Sequence, residues 1–244
     1  MKLLNIDQNA KTKKGQKRGY ITAIMYLAPA KVSGYEVCPM RSTGCTAACL
    51  NTAGRGQMDM VQQARINKTR MYFEDRPGFM LQLEKEIEAF IKKANKLEMI
   101  PVVRLNGTSD IIWERVPFVG AGGKRHKNMM VRFPDHTFYD YTKHHKRKNL
   151  PKNYTLTYSL AEDNDDRAYQ ALVNKINVAV VFRTPDFPKS FWGREVYDGD
   201  DTDLRFLDPQ GGIIIGLKAK GKAKKDTTGF VRESHDQIYL KVVA

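Results

Sequence analysis

Cysteine is almost absent from this chain. Its 244 residues hold three, Cys38, Cys45 and Cys49, all inside the stretch CPMRSTGCTAACL. An odd, clustered set excludes the paired disulfide framework of small secreted domains and points to metal or catalytic chemistry in a reducing compartment. Long apolar runs are also missing. The longest, INVAVVF (176–182) and GGIIIGL (211–217), fall short of the roughly 18 residues that mark a membrane span. The start, MKLLNIDQNAK, breaks its apolar run after two leucines. It lacks a signal-peptide core, so the chain is expected in the cytoplasm with no membrane partner. VGAGGK carries glycines but not the GxxxxGK[ST] pattern that cradles nucleotide phosphates, which speaks against nucleotide hydrolysis.

Acidic residues are scarce relative to basic ones: 27 Asp and Glu against 41 Lys and Arg, a net charge of +14. The basic residues come in blocks, KTKKGQKR, GGKRHKNMMVR, KHHKRKNLPK and KAKGKAKKD. Blocks of this kind suit phosphates, and DNA or RNA is the expected partner. A solvated surface and an acidic protein partner are the competing readings. Lys124, Arg125, Lys143, Lys146, Arg147, Lys148, Lys218 and Lys220 are the candidate phosphate contacts, with Trp113, Tyr139 or Tyr141 available to stack a base.

Hydrophobic patterning gives an α/β chain. GYITAIMYLAP, IPVVRL, TFYDYTK, NYTLTYSL, NVAVVF, REVYD, DLRFLD and GGIIIGL read as strands. DMVQQARINKTRMYFEDR, PGFMLQLEKEIEAFIKKANKLE and DRAYQALVNKI read as helices. In the second of these, Phe79, Leu83, Ile87, Phe90 and Ile91 recur at helical spacing behind Pro77. Strands alternating with helices argue for a mostly parallel sheet. The expected architecture is an irregular or partial (β/α) TIM-like barrel with the cysteine loop after its first strand, and an open doubly wound sheet comes second. Residues 1–19 read as a basic arm and 20–244 as one domain.

Such folds collect their sites at the C-terminal ends of strands. Asn106, Asp110, Tyr141, Thr142 and Lys143 fall there, and Asn106, Asp110, Tyr141 and Lys143 are the candidate catalytic residues. The cysteines are spaced C-x6-C-x3-C. Three thiolates can hold three irons of a 4Fe–4S cluster and leave the fourth open. Cys45 and Cys49 stand at i and i+4, which on a helical turn places both sulfurs on one face. A Cys3His zinc site is an alternative; His126, His136, His144, His145 and His235 could supply the fourth ligand, none at a telling spacing. A lone nucleophilic cysteine or three unrelated thiols are the remaining readings. Asp198, Asp200 and Asp201, in DGDDTDLRFLD, are weaker candidates for a divalent cation and a nuclease reaction. A plain acidic turn paired with Arg194, Arg205 or nearby lysines is the preferred reading of this stretch.

A three-cysteine loop after the first strand of an α/β barrel resembles the radical S-adenosylmethionine enzymes. In those, the open iron binds S-adenosylmethionine and the reduced cluster cleaves it to a 5′-deoxyadenosyl radical. That resemblance makes S-adenosylmethionine a possible second cofactor. The spacing differs from their usual C-x3-C-x2-C, and NGTSD stands where they carry Gly-Gly-Glu. Over roughly residues 20–232 the chain more closely resembles the phage "gene product eighty-eight"-like proteins, through CPMRSTGCTAACLNTAGRG, VRLNGTSDI, DYTKHHKR and DLRFLDPQGGIIIGLKAKGKAKKD…GFV. This resemblance implies a phage-encoded protein of the host cytoplasm, often found beside replication genes, and names no reaction.

Overall fold

A computed structural model of the chain describes residues 1–6, 10–184 and 186–236. In chain order the strands are β1 (Leu4–Ile6), β2 (Tyr20–Met25), β3 (Ile100–Arg104), β4 (Phe118–Val119), β5 (Arg125–His126), β6 (Thr137–Thr142), β7 (Tyr154–Ser159), β8 (Val178–Phe182), β9 (Ser190–Phe191), β10 (Arg194–Asp198), β11 (Ile214–Lys218) and β12 (Val231–Arg232). The helices are α1 (Ala10–Gln16), α2 (Ala30–Ser33), α3 (Thr43–Ala47), α4 (Asp59–Glu74), α5 (Arg76–Lys96), α6 (Met129–Arg132) and α7 (Asp165–Val173).

One large sheet organises these elements, in the order β1-β2-β3-β6-β7-β8-β11-β10-β9, with β12 also paired to β8. From β2 to β10 every pairing in it is parallel, while β1 and β9 are antiparallel additions at the two ends. The mixed α/β fold with a mostly parallel sheet is therefore as expected. The described strands do not close into a barrel. Among the described residues β1 and β9 do not pair, and β1 occupies the edge of β2 that closure would need. Nor does the order double back through the middle, as a doubly wound sheet does. At its start β8 pairs with the last two residues of β7 and at its end with β12, which takes up that edge of β8 beyond the end of β7.

Alternation along the strands sets the two faces. Ile21, Ala23 and Met25 of β2, Val103 of β3 and Phe138 of β6 pack with Phe79, Leu83, Ile87 and Phe90 of α5 in the main core. α5 is amphipathic as its spacing predicts, and Asp75 caps it by accepting the Gly78 N–H at 3.0 Å. Val102 and Tyr139 project from the opposite face and are covered by Leu204 and Phe206. This accounts for DLRFLD, expected as a strand. Arg205–Leu207 coils into a 3-10 turn, with Leu204 buried under the sheet and Arg205 paired to Asp208 three residues on.

Described residues of the N-terminal segment pack on the sheet. Leu3 and Leu4 are buried in the main core, and Lys68 of α4 donates to the Leu3 carbonyl at 2.8 Å. No helix among the described residues is long and apolar enough to cross a membrane.

Candidate functional site

The cysteine segment joins β2 to α4 and passes over the C-terminal side of the parallel strands. Cys38 follows Val37, whose carbonyl accepts the Asp110 N–H at 2.7 Å. The Cys38 thiol donates to the Thr108 carbonyl at 3.7 Å, and its own N–H donates to Glu36 at 2.7 Å. Ser42 caps α3 by accepting the Cys45 N–H at 3.1 Å. Glu162, just past β7, then locks this turn: it accepts the Ser42 hydroxyl at 2.7 Å and the Gly44 N–H at 2.5 Å. Gly44 has no room for a side chain. A Cβ there would stand 2.1 Å from the Thr228 hydroxyl and 2.8 Å from the Phe230 Cβ.

The helical turn ends at Ala47, so Cys45 and Cys49 do not share one helical face as their spacing suggests. Cys49 instead opens the next turn, its sulfur accepting the Asn51 N–H at 3.5 Å. The Asn51 carbonyl accepts Arg65 of α4 at 2.7 Å, and the Arg65 guanidinium lies over the Tyr26 ring at 5.0 Å.

The three thiols are free and half-buried, and they sit within one another's fields. Burial pushes the Cys38 thiol up to about 12, helped by Asp110, Cys49 and Cys45 and opposed by Lys143. Cys49 is also raised, by burial first; the Asn51 N–H, Arg65 and Lys143 oppose this while Cys45 adds to it. The sulfurs do not meet at a point. Among the described residues no three Cys, His, Asp or Glu side chains converge to hold one metal ion. Four sulfurs around one zinc would approach to about 3.8 Å, from a Zn–S bond of about 2.3 Å. A cubane gives each cysteine its own iron and asks for a wider triangle.

Of the other expected site residues, Asp110 and Lys143 belong here. The Asp110 carboxylate accepts the Lys143 N–H at 2.8 Å, and the Lys143 ammonium lies 5.8 Å from the Phe230 ring. Asn106 does not present its amide to a ligand. Its oxygen accepts from Ser109, Ile111 and Trp113, and its nitrogen donates to the Ile111 carbonyl, which shapes the turn after β3. Thr142 is buried and accepts the His144 N–H. Tyr141 faces a different cluster. Its ring lies 4.7 Å from the Arg104 guanidinium, with Arg205 and Asp203 nearby, and burial raises its hydroxyl to about 12. Tyr139 and Trp113 are 0 % and 1 % exposed, in the core, and cannot stack a base.

The acidic turn is an ion-paired loop. Asp201 pairs with Arg18 at 2.5 Å and Asp200 with Lys220 at 2.7 Å, while Asp198 accepts the Asp200 N–H. Lys220 is thus engaged, and the Lys218 ammonium lies 5.6 Å from the Phe187 ring. Arg147 is not a phosphate contact either. Its side chain is 3 % exposed, grips Glu114 at 2.9 and 2.5 Å and donates to the Tyr154 hydroxyl at 3.1 Å. Lys146 and Lys148 on either side are exposed. Lys124 and Arg125 line a cleft beside α5 that none of the three cysteines lines. Of the histidines, His126 stacks on Phe118 in that cleft, His136 sits against Phe133, and His145 and His235 are exposed.

Nothing in the spacing of the sequence marks Glu162 or Arg65 as a partner of this loop. The family model of Gene product 88 matches residues 1–234. The chain belongs to the Gene product 88 family. The match takes in the first nineteen residues, which also carry β1 and α1. Comparison of this Gene product 88 chain with curated proteins finds no match, and comparison with solved structures finds none.

Proposed function

We propose that the chain is a phage-encoded 4Fe–4S protein that acts on nucleic acid in the host cytoplasm, with Cys38, Cys45 and Cys49 holding three irons. One observation carries this reading: three half-buried thiols in one pre-formed loop, within one another's fields and facing two cations, Arg65 and Lys143. Metal ligation requires thiolates, yet burial and mutual repulsion hold Cys38 and Cys49 protonated. Bound iron would supply the missing positive charge. Zinc is the weaker reading because the sulfurs do not converge. The nuclease reading has no support from the acidic turn, whose carboxylates are spent on Arg18, Lys220 and backbone N–H groups.

When bound, the cluster supplies electron transfer or a Lewis-acidic iron at the C-terminal edge of a parallel sheet. The chain's own residues do the rest. Lys143 and Arg65 balance thiolate charge, Asp110 fixes the Lys143 backbone, and Glu162 holds the turn that carries Cys45. Anaerobic purification with an optical spectrum and iron and sulfide assays tests the reading. A brown protein with both elements is expected, lost on replacing any one of the three cysteines with Ala. Stoichiometric zinc without iron would overturn it. Perturbation of the reduced protein's electron paramagnetic resonance signal by S-adenosylmethionine would extend it toward the radical enzymes.

A further inference from the structure

A cleft of about 690 Å³ opens outside the sheet, beside α5, lined by Lys124, Arg125, His126, Lys127 and Arg132. A second hollow of about 400 Å³ shares Arg125, His126 and Lys127 and adds Arg115. Arg132, at the back, is taken up by Glu84 and Glu88 of α5, both at 2.5 Å. Among the described residues, Arg115, Lys124, Arg125 and Lys127 are exposed and pair with no carboxylate. Among the described residues no acidic side chain lines either hollow. We infer that this cleft holds the sugar–phosphate backbone of a nucleic acid strand.

Two features of the cleft fix the ligand class. Four cations that pair with no carboxylate, spread over two adjoining hollows, need several negative charges in a row, and Arg forks match phosphate oxygens in pairs. The one ring in the cleft, His126, already lies flat on Phe118 with centroids 5.2 Å apart, so base stacking contributes little and phosphate contact dominates. Arg115 of the second hollow is joined to the cysteine site by a short stretch of chain. Asp110, in the field of Cys38, and Arg115 belong to one connection, and five residues span at most about 18 Å. Trp113–Arg115 is coiled, which shortens the path further. The exposed Lys146 and Lys148 flank Arg147, which grips Glu114 in that same connection, and so continue the positive surface.

This inference rests on the nucleic-acid half of the proposed function and is independent of the cluster. The test compares full-length wild type with two triple variants that each remove three charges. One is Lys124→Ala, Arg125→Ala, Lys127→Ala in the cleft. The other is Lys92→Ala, Lys93→Ala, Lys96→Ala on the exposed side of α5. Binding to labelled 20-nucleotide single and double strands is followed by anisotropy across a salt series. Four phosphate contacts give wild type a log–log salt slope of about −3, or about 60-fold weaker binding from 50 to 200 mM salt. The cleft triple should bring the slope to about −1 and weaken binding at 50 mM by more than tenfold, with little dependence on base sequence, while the α5 triple changes affinity less than threefold. Equal losses in the two triples, or none in either, would overturn the cleft and leave nucleic-acid binding standing. No binding by wild type at 50 mM would overturn both. Iron content measured on the same samples is expected to be unchanged in every variant, which keeps the cluster reading separate.

Discussion

The residue that most directly connects fold to site is Glu162, and replacing it makes a quantitative prediction. Its carboxylate accepts two hydrogen bonds from the cysteine turn, at 2.7 Å from the Ser42 hydroxyl and 2.5 Å from the Gly44 N–H. The second is one of the free N–H groups at the start of α3, which favours a negative partner. A hydrogen bond to a charged group contributes about 1.5–3 kcal/mol, and Glu162 is half-buried, so the lower end applies to each. Glu162→Ala should therefore cost about 3 kcal/mol, nearly all of it in the local opening of residues 42–49. At about 1.4 kcal/mol per tenfold change, amide exchange there speeds up about 100-fold. Glu162→Gln keeps an acceptor for the Gly44 N–H and should recover about half of the loss. Hydrogen exchange read by mass spectrometry on iron-free protein gives the answer without any assumption about a cluster. Exchange in 42–49 that is no faster in Glu162→Ala than in wild type would refute the anchoring role. A uniform acceleration over the whole chain would do the same, since it would mean that the loop opens only with the fold.

The remaining predictions concern charge. Arg147→Ala leaves Glu114 buried without its partner and should cost about 3–5 kcal/mol, whereas Lys146→Ala with Lys148→Ala stays within about 0.5 kcal/mol; equal urea midpoints would refute the ion-pair assignment. Burial raises Asp140 to about 7, against the offsetting pull of Arg104, the Asn106 N–H and the Tyr154 hydroxyl. A raised carboxyl favours the protonated folded state, so this contribution is whole below about pH 4 and fades as pH climbs through 7, by about 4 kcal/mol in all. Asp140→Asn should flatten that part of the stability profile, and identical profiles for the two proteins would count against it. In iron-free protein the Cys38 thiol, raised to about 12, should be alkylated by iodoacetamide at a rate that still climbs above pH 9. A plateau near pH 9 at that residue, read by peptide mapping, would show an ordinary exposed thiol.

The elements legible in the sequence are those whose pattern is local. The α5 spacing of Phe79, Leu83, Ile87 and Phe90 needs only one helix to be read, and all four are buried as it requires. The central strands are short apolar runs between polar turns, and they too appear where expected. What the pattern cannot carry is who pairs with whom. Arg147 and Lys146 look alike in KHHKRK, but only Arg147 meets a buried carboxylate, 33 residues away. Trp113 and Tyr139 read as available aromatics because polar residues surround them. Their burial depends on Asn106 taking the indole N–H and on Leu204 covering the tyrosine's face of the sheet. Closure of the barrel fails for the same kind of reason, since it turns on Leu4–Ile6 pairing with β2 from outside the run of strands and helices.

The cysteine site divides along the same line. Its three thiols are visible in the sequence because they are adjacent; the groups that hold them come from α4, from the turn after β3, and from the ends of β6 and β7, spread between residues 65 and 162. That spread has a physical consequence. A small zinc module depends on its metal for folding because little else holds its ligands. Here the loop is fixed by Glu162, Asp110, Asn51 and Arg65 through bonds that involve no metal. The main core, on the α5 face of the sheet, takes Cys38 only at its margin and neither Cys45 nor Cys49. Loss of a bound cluster would therefore act on the thiolates and their neighbouring cations far more than on the fold. Each cysteine can then be replaced singly in a chain that stays folded, and a change in metal content reports on ligation itself.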